Sequence, residues 1–474
     1  MNPRYRSQAL RAIAFVTTVV CPVLILAASV ADASQPVVWS KSADAPGYAK
    51  ATAGDPNFDD KAVWPLTGKE KFLGETWPAT RLLVWAHPGE SGGDGGRGVK
   101  HQVFTASNWI DAATGKPASK LPDANTDILL PASKTDYHVS YRKGGQEHSP
   151  FAIRHLTVES GAYFRTSGLK VTGNVWVKRG GGMGNHGSLG FLGGRNTFCR
   201  NDNGDPSVPQ RTEGSSVSQY ISFNKPGGSC EFFGTFSTGD EFKVYAGTFI
   251  IGPDSRVQPG RNATPFVKKP ATLALMDGAA FGKWCNQIHF FDLHCEGTLQ
   301  GGLPERPLTR DAYVGLTYQN PNGTKFYPSG IDTWPKKKQM EDRLVPLLFY
   351  SGSRIKTYSA DMQKACLVIT WVGLEAKEYY TSKMLFRRMS KAGQAYLVKQ
   401  LDSLPKYVMA AFAKGVSVDG VRFNRFLKDG ILLADPSARQ SWRNVFFGDE
   451  NQVPAEQLLR KADVNFNSGS YTYK

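Results

Sequence analysis

Cys285, His289, Asp292, His294, Cys295 and Glu296 form the densest group of side chains able to do chemistry in this sequence. If the end of this stretch is a strand, alternate residues share a face. Phe291, Leu293 and Cys295 then point one way, and Asp292, His294 and Glu296 the other. With the apolar set in a core, the titratable groups stand in an outer row about 6 to 7 Å apart. Such a row can act as general acid and base, which makes Asp292, His294 and Glu296 the candidate catalytic residues; the plainer reading is a solvated strand face. A zinc site would need Cys285, His289, His294 and Cys295 together. Alternation puts the two histidines on opposite faces, so no metal and no cofactor is expected.

Removal of a proton beside a uronate carboxylate needs a base and a cation that neutralises the carboxylate. Arg142, Lys143 and His148, or His186 and Arg195, are of the right type, although no spacing singles them out. Aromatic planes stack on sugar rings and basic groups pair with acidic substituents. On that basis Trp64, Trp77, His186, Arg195 and Trp334 are candidate carbohydrate-binding residues, and Trp442 is also expected to be accessible. Trp85, Trp284 and Trp371 read as core. The loop at 87–98 is rich in glycine but lacks a Gly-Lys-Ser/Thr ending, which argues against a nucleotide phosphate cradle.

These groups need a frame, and the frame is a repeated pattern. Leu156, Val158 and Gly161 read apolar-x-apolar-x-x-Gly: two side chains of one strand face enter a core and a glycine turns the chain. Phe242, Val244 and Gly247 repeat it, as do Leu273, Leu275 and Gly278, and Leu347, Phe349 and Gly352. Phe291, Leu293 and Gly297 carry a version stretched by one residue. Short strands closed by glycine at recurring intervals predict a mainly β protein. Its centre would be a right-handed parallel β-helix, each coil burying its apolar row on the next.

The order Asn108-Trp109, Leu121-Pro122, Asp127 to Pro131, Leu156 to Gly161 and Val171 to Val177 resembles the G8 domain, a glycine-punctuated all-β module of secreted and cell-surface proteins. The resemblance covers a quarter to a third of the chain. It implies a right-handed β-helix and, in some members, attachment to or breakdown of hyaluronan-like glycans; it transfers no catalytic residue. The departure from the pattern is a loop-rich insertion at about 179–230. Later, Leu385, Met389, Ala392 and Tyr396 recur at helical spacing, and short helices are expected over 406–414 and 454–460.

At the N-terminus Arg4, Arg6 and Arg11 precede an apolar run from Ala12 to Val30, and Ala31-Asp32-Ala33 fits the small-x-small cleavage rule. The division expected is a signal peptide at 1–33, a wrapping segment at 34–107, the G8-like β-helix at 108–373 and a helical and mixed region at 374–474. Loss of the leader removes three arginines and one aspartate, so the formal charge falls from +16 to +14. For an exported protein that excess favours acidic polysaccharide or cell-envelope glycan over nucleic acid. The protein is not expected to be integral to a membrane once the leader is cleaved. Export also favours disulfides, with Cys199 near Cys230 and Cys285 near Cys295, leaving Cys366 as a buried thiol. The leading expectation is an extracytoplasmic protein that binds polyanionic polysaccharide at the cell surface or in the matrix. The alternatives are a polysaccharide lyase or hydrolase acting on acidic glycans, and a structural module that associates with itself.

Overall fold

The computed structural model describes residues 71–72, 75–76, 81–93, 101–141, 152–166, 168–185, 188–194, 196–201, 218–259, 265–282, 293–315, 347–370, 390–395, 410–424, 426, 430–448, 455–466 and 470–473. They are mainly β, and a 27-stranded hydrogen-bonded network rich in parallel pairs holds most of the strands. Three ladders organise it. In the first, Leu83, Ile128, Leu156, Val175, Cys199 and Phe232 lie side by side on successive strands. The same ladder goes on with a second aligned row, Phe249, Leu273, Leu299, Ile355 and Val418. The second aligns Val244, Val267, Cys295, Phe349, Phe412 and Leu433. The third aligns Phe236, Val257, Phe281, Val314, Ile369, Phe423 and Phe447.

These inward rows meet in one buried cluster that includes Leu156, Leu273 and Leu293. β-Branched and aromatic residues suit a pleated surface, and each one fully buried contributes about 1.5 to 3 kcal/mol. From 243 onward the chain visits the second, first and third ladders in a fixed order. It passes through 243–244, 248–251 and 256–258, then Phe266–Val267, Thr272–Leu275 and Ala280–Phe281, and then Leu293–Cys295, Thr298–Gly301 and Ala312–Gly315. Nearer the N-terminus a separate five-stranded sheet, including Tyr137–Tyr141, Ala162–Thr166 and Gly182–Asn185, occupies the third position.

The glycines of the repeated pattern do what the spacing predicts at Gly161 and Gly247, whose φ values are +87° and +81°. A side chain at 247 would also meet the Lys225 carbonyl oxygen at 2.1 Å. Gly297 works differently: a Cβ there would lie 2.2 Å from the Ala271 oxygen, so it permits close approach of two circuits. The first-ladder corners are polar inside. His155 and Asp127 are fully buried, and the buried Lys225 ammonium donates to the Leu192 carbonyl at 2.6 Å and the Thr172 carbonyl at 3.3 Å.

Several expectations are corrected. Most of the described part of the expected insertion is regular: Gly182–Asn185, Ser188–Leu192 and Thr197–Asn201 are paired parallel strands, as are 220–224 and 230–234 within the long run Ser218–Ile251. Glycine crowding hid them in the sequence; Gly182 is needed because a Cβ would enter the Tyr163 ring at 2.4 Å. The helix expected over 406–414 is a buried strand, Ala410–Phe412, between Leu347–Phe349 and Ile431–Leu433. Pairing on both sides overrides the helical preference of alanine. The helix near 454–460 shrinks to Ala455–Leu458 before the strand Leu459–Asn465, while residues 391–395 are helical. Cys199, Cys230, Cys295 and Cys366 are free, buried thiols. Cys199 lies opposite Phe232 and Cys230 opposite Thr197. That two-residue offset puts the two Cα atoms roughly 8 Å apart, beyond disulfide reach.

Two terminal strands of the stack turn back on themselves. Arg81–Trp85 pairs antiparallel with Trp109–Asp111, which pairs with Lys116–Pro117. Leu459–Asn465 pairs antiparallel with Ser470–Tyr473. Among the described residues no helix is long and apolar enough to cross a membrane, which says nothing of strands.

Candidate functional site

Much of the outward side of the first ladder is covered by the chain itself. Ile250, Ala274 and Met276 are buried there with Leu303, and Arg306 donates to both oxygens of Glu231 at 2.9 and 3.0 Å to hold the covering loop. The outward side of the second ladder is different. Register places Lys243, Phe266 and His294 in one row across three successive strands, and Leu348 follows on a fourth. Alternation places Tyr245, Lys268, Glu296 and Tyr350 in a second row two residues on. Backbone hydrogen bonds from Lys268 to Val244, from Glu296 to Val267 and from Tyr350 to Cys295 extend the pairing to that row.

Each of the first two strands therefore presents one ring and one ammonium, two residues apart. Tyr245 is 38% exposed, one of the few large hydrophobic side chains among the described residues that are. Lys268 Nζ lies 3.9 Å from the centre of the Phe266 ring and 3.6 Å from Glu296 Oε1. The Lys268 and Glu296 side chains keep 39% and 34% of their exposure, so solvent screens the pair.

His294 is the half-buried centre. Its ring meets Phe266 edge-on at 5.8 Å and lies 5.8 Å from Tyr350. The Tyr350 hydroxyl donates its one proton to the Phe466 carbonyl at 2.6 Å. It must therefore accept from His294 Nδ1, 3.1 Å away. In the neutral imidazole this leaves Nε2 unprotonated, and burial pushes the His294 pKa down against the opposing pull of Glu296. Burial also raises the Tyr350 phenol, with Glu296 acting in the same direction. Beyond Tyr350 the row ends. Leu348, Ala411, Leu432 and Ala462 are buried there beneath Val464 and Phe466 of the C-terminal hairpin.

Leu293 and Cys295 point into the core and His294 and Glu296 outward, as alternation predicts. Asp292 lies outside the described residues, as do Trp64, Trp77, His186, Arg195, Trp334 and Cys285. Trp442 is not a free surface ring: it packs on Phe412 at 5.0 Å and on Phe423 at 6.3 Å. Sequence reasoning missed Lys243, Phe266, Lys268 and Tyr350, because only the register brings them beside His294. Their one linear signal is a ring and a lysine at alternate positions. No family model, curated protein or solved structure matches the chain, and nothing identifies a G8 module.

Proposed function

We propose that this chain is an exported, right-handed parallel β-helix that binds polyanionic polysaccharide through the outward side of its second ladder. The fixed order in which the chain visits the three ladders supports a helical coil, and the formal charge, +16 with the leader and +14 without it, supports an anionic partner. One observation carries the binding site: Lys243 with Tyr245 and Phe266 with Lys268 place ring and ammonium on adjacent, registered strands. Rings supply flat surface for a sugar, and ammonium groups pair with its carboxylates or sulfates. Affinity electrophoresis of the full chain in gels containing acidic or neutral polysaccharide tests the reading. Retardation by acidic polymers alone, reduced by salt and by Phe266→Ala together with Lys268→Gln, is expected. Equal mobility in every gel would refute it.

A second reading, a lyase, is favoured by the hydrogen-bond order at His294, which leaves Nε2 as a base in the same strip as Lys268. Ultraviolet absorbance of an unsaturated uronate product, lost in His294→Gln, is the expected signature; acidic polymer retained without cleavage would exclude it.

A further inference from the structure

The strip also limits the shape of its ligand, on the premise that the binding reading above holds. We infer that it takes a linear, β-1,4-linked polyuronate lying across the strands, one sugar per strand, over the three strands that carry Lys243, Phe266 and His294. Three features carry this.

The first is direction. The rings and charges succeed one another from strand to strand, through Lys243, Phe266 and His294 in one row. Neighbouring strands are about 4.8 Å apart, close to the length of one pyranose in an extended chain. The second is alternation. Lys243 stands in the first row and Lys268 in the second, one strand further on, about 6 to 7 Å away along the strand direction. A β-1,4-linked uronate ribbon turns over at each residue, so its carboxylates leave alternate edges, matching the two ammonium positions. The rings take the complementary places, Tyr245 beside Lys243 and Phe266 beside Lys268. The third is termination. Leu348 and Tyr350 are followed by the C-terminal hairpin, whose Phe466 carbonyl holds the Tyr350 hydroxyl at 2.6 Å. Leu348 is fully buried under that hairpin, so the open strip ends at the strand of His294 and Glu296, two strand spacings or roughly 10 Å from that of Lys243 and Tyr245. On the other side the run 220–224 of the same sheet carries Ser222 and Asn224, neither ring nor ammonium.

Glu296 is the one carboxylate in the second row. It lies 3.6 Å from Lys268, so a bound uronate competes with it for the ammonium and is repelled by it. Removing its charge should therefore tighten binding, a gain that misfolding does not produce.

Calorimetric titration of the full-length protein with size-defined oligomannuronates of two to eight residues is the test. Affinity should rise to about the trimer and then level off. Glu296→Gln should bind the trimer up to about 5-fold tighter, and Lys243→Gln and Lys268→Gln should each bind up to about 5-fold weaker. Affinity that climbs steadily to the octamer, or a Glu296→Gln variant that binds no tighter, would overturn the three-strand arrangement while leaving the binding reading intact. No heat and no retention with any acidic glycan would overturn the binding reading itself.

Discussion

Acid should loosen this protein through His155, and the effect can be sized. The imidazole is fully buried, and its Nδ1 accepts a hydrogen bond from the Asn174 amide at 2.7 Å, so the ring proton is on Nε2, 3.9 Å from Asp127 Oδ1. Burial, and after it the charges of Arg154 and Lys225, hold the folded pKa well below 6.5. An unfolded chain takes up the proton near that ordinary value while the folded one does not. The stability His155 contributes is therefore complete above about pH 6.5 and is lost as pH falls below it. One proton costs about 1.4 kcal/mol per pH unit, so the loss by about pH 5 is about 2 kcal/mol. Urea unfolding of the wild type and of His155→Gln, followed between about pH 7.5 and about pH 5, isolates the term, because other titrating groups are common to both. The stability difference between the two proteins should shrink by about 2 kcal/mol across that range. Parallel curves would refute the reasoning, whatever the absolute stability of the variant.

Three further outcomes are expected. Gly247→Ala should cost more than Gly193→Ala: both glycines have positive φ, worth about 1 to 3 kcal/mol of strain each, but only at 247 does the new methyl strike backbone; thermal denaturation ranks them. Arg306→Ala leaves the Glu231 carboxylate buried without its bidentate partner and should cost about 3 to 5 kcal/mol in urea unfolding, largely recovered when Glu231→Gln is added. Burial pushes the Cys230 thiol up to about 12, so it should resist alkylation in the native protein and react once denatured; mass spectrometry counts the modified sites.

Much of the frame was readable in the sequence because its signal is local. An apolar pair followed by glycine marks several of the corners, and Leu156, Leu273 and Leu347 all enter the same core. What stayed hidden depended on pairing between distant segments. Ala410–Phe412 reads as helix in isolation and is a strand because Leu347–Phe349 and Ile431–Leu433 flank it. The glycine-dense stretch near 182–201 reads as loop, although it is paired strand and at Gly182 close packing on Tyr163 requires the missing side chain. The site divided in the same way. His294 and Glu296 were visible from alternation, whereas Tyr350, more than fifty residues away, joins them only through the register of Leu293–Cys295 on Leu347–Phe349.

A column of parallel strands contains no instruction for its own length, since every layer presents the next with the same hydrogen-bonding edge. The two reversals of direction act differently here. Trp109–Asp111 folds back on Arg81–Trp85 and fills the side of Leu83 and Val84 that does not face Ile128 and Leu129, so a second molecule cannot pair there. Ser470–Tyr473 instead pairs with 462–465, past the residues 459–461 that join Ile431–Leu433, so it leaves the backbone edge of 459–461 to be blocked by other means.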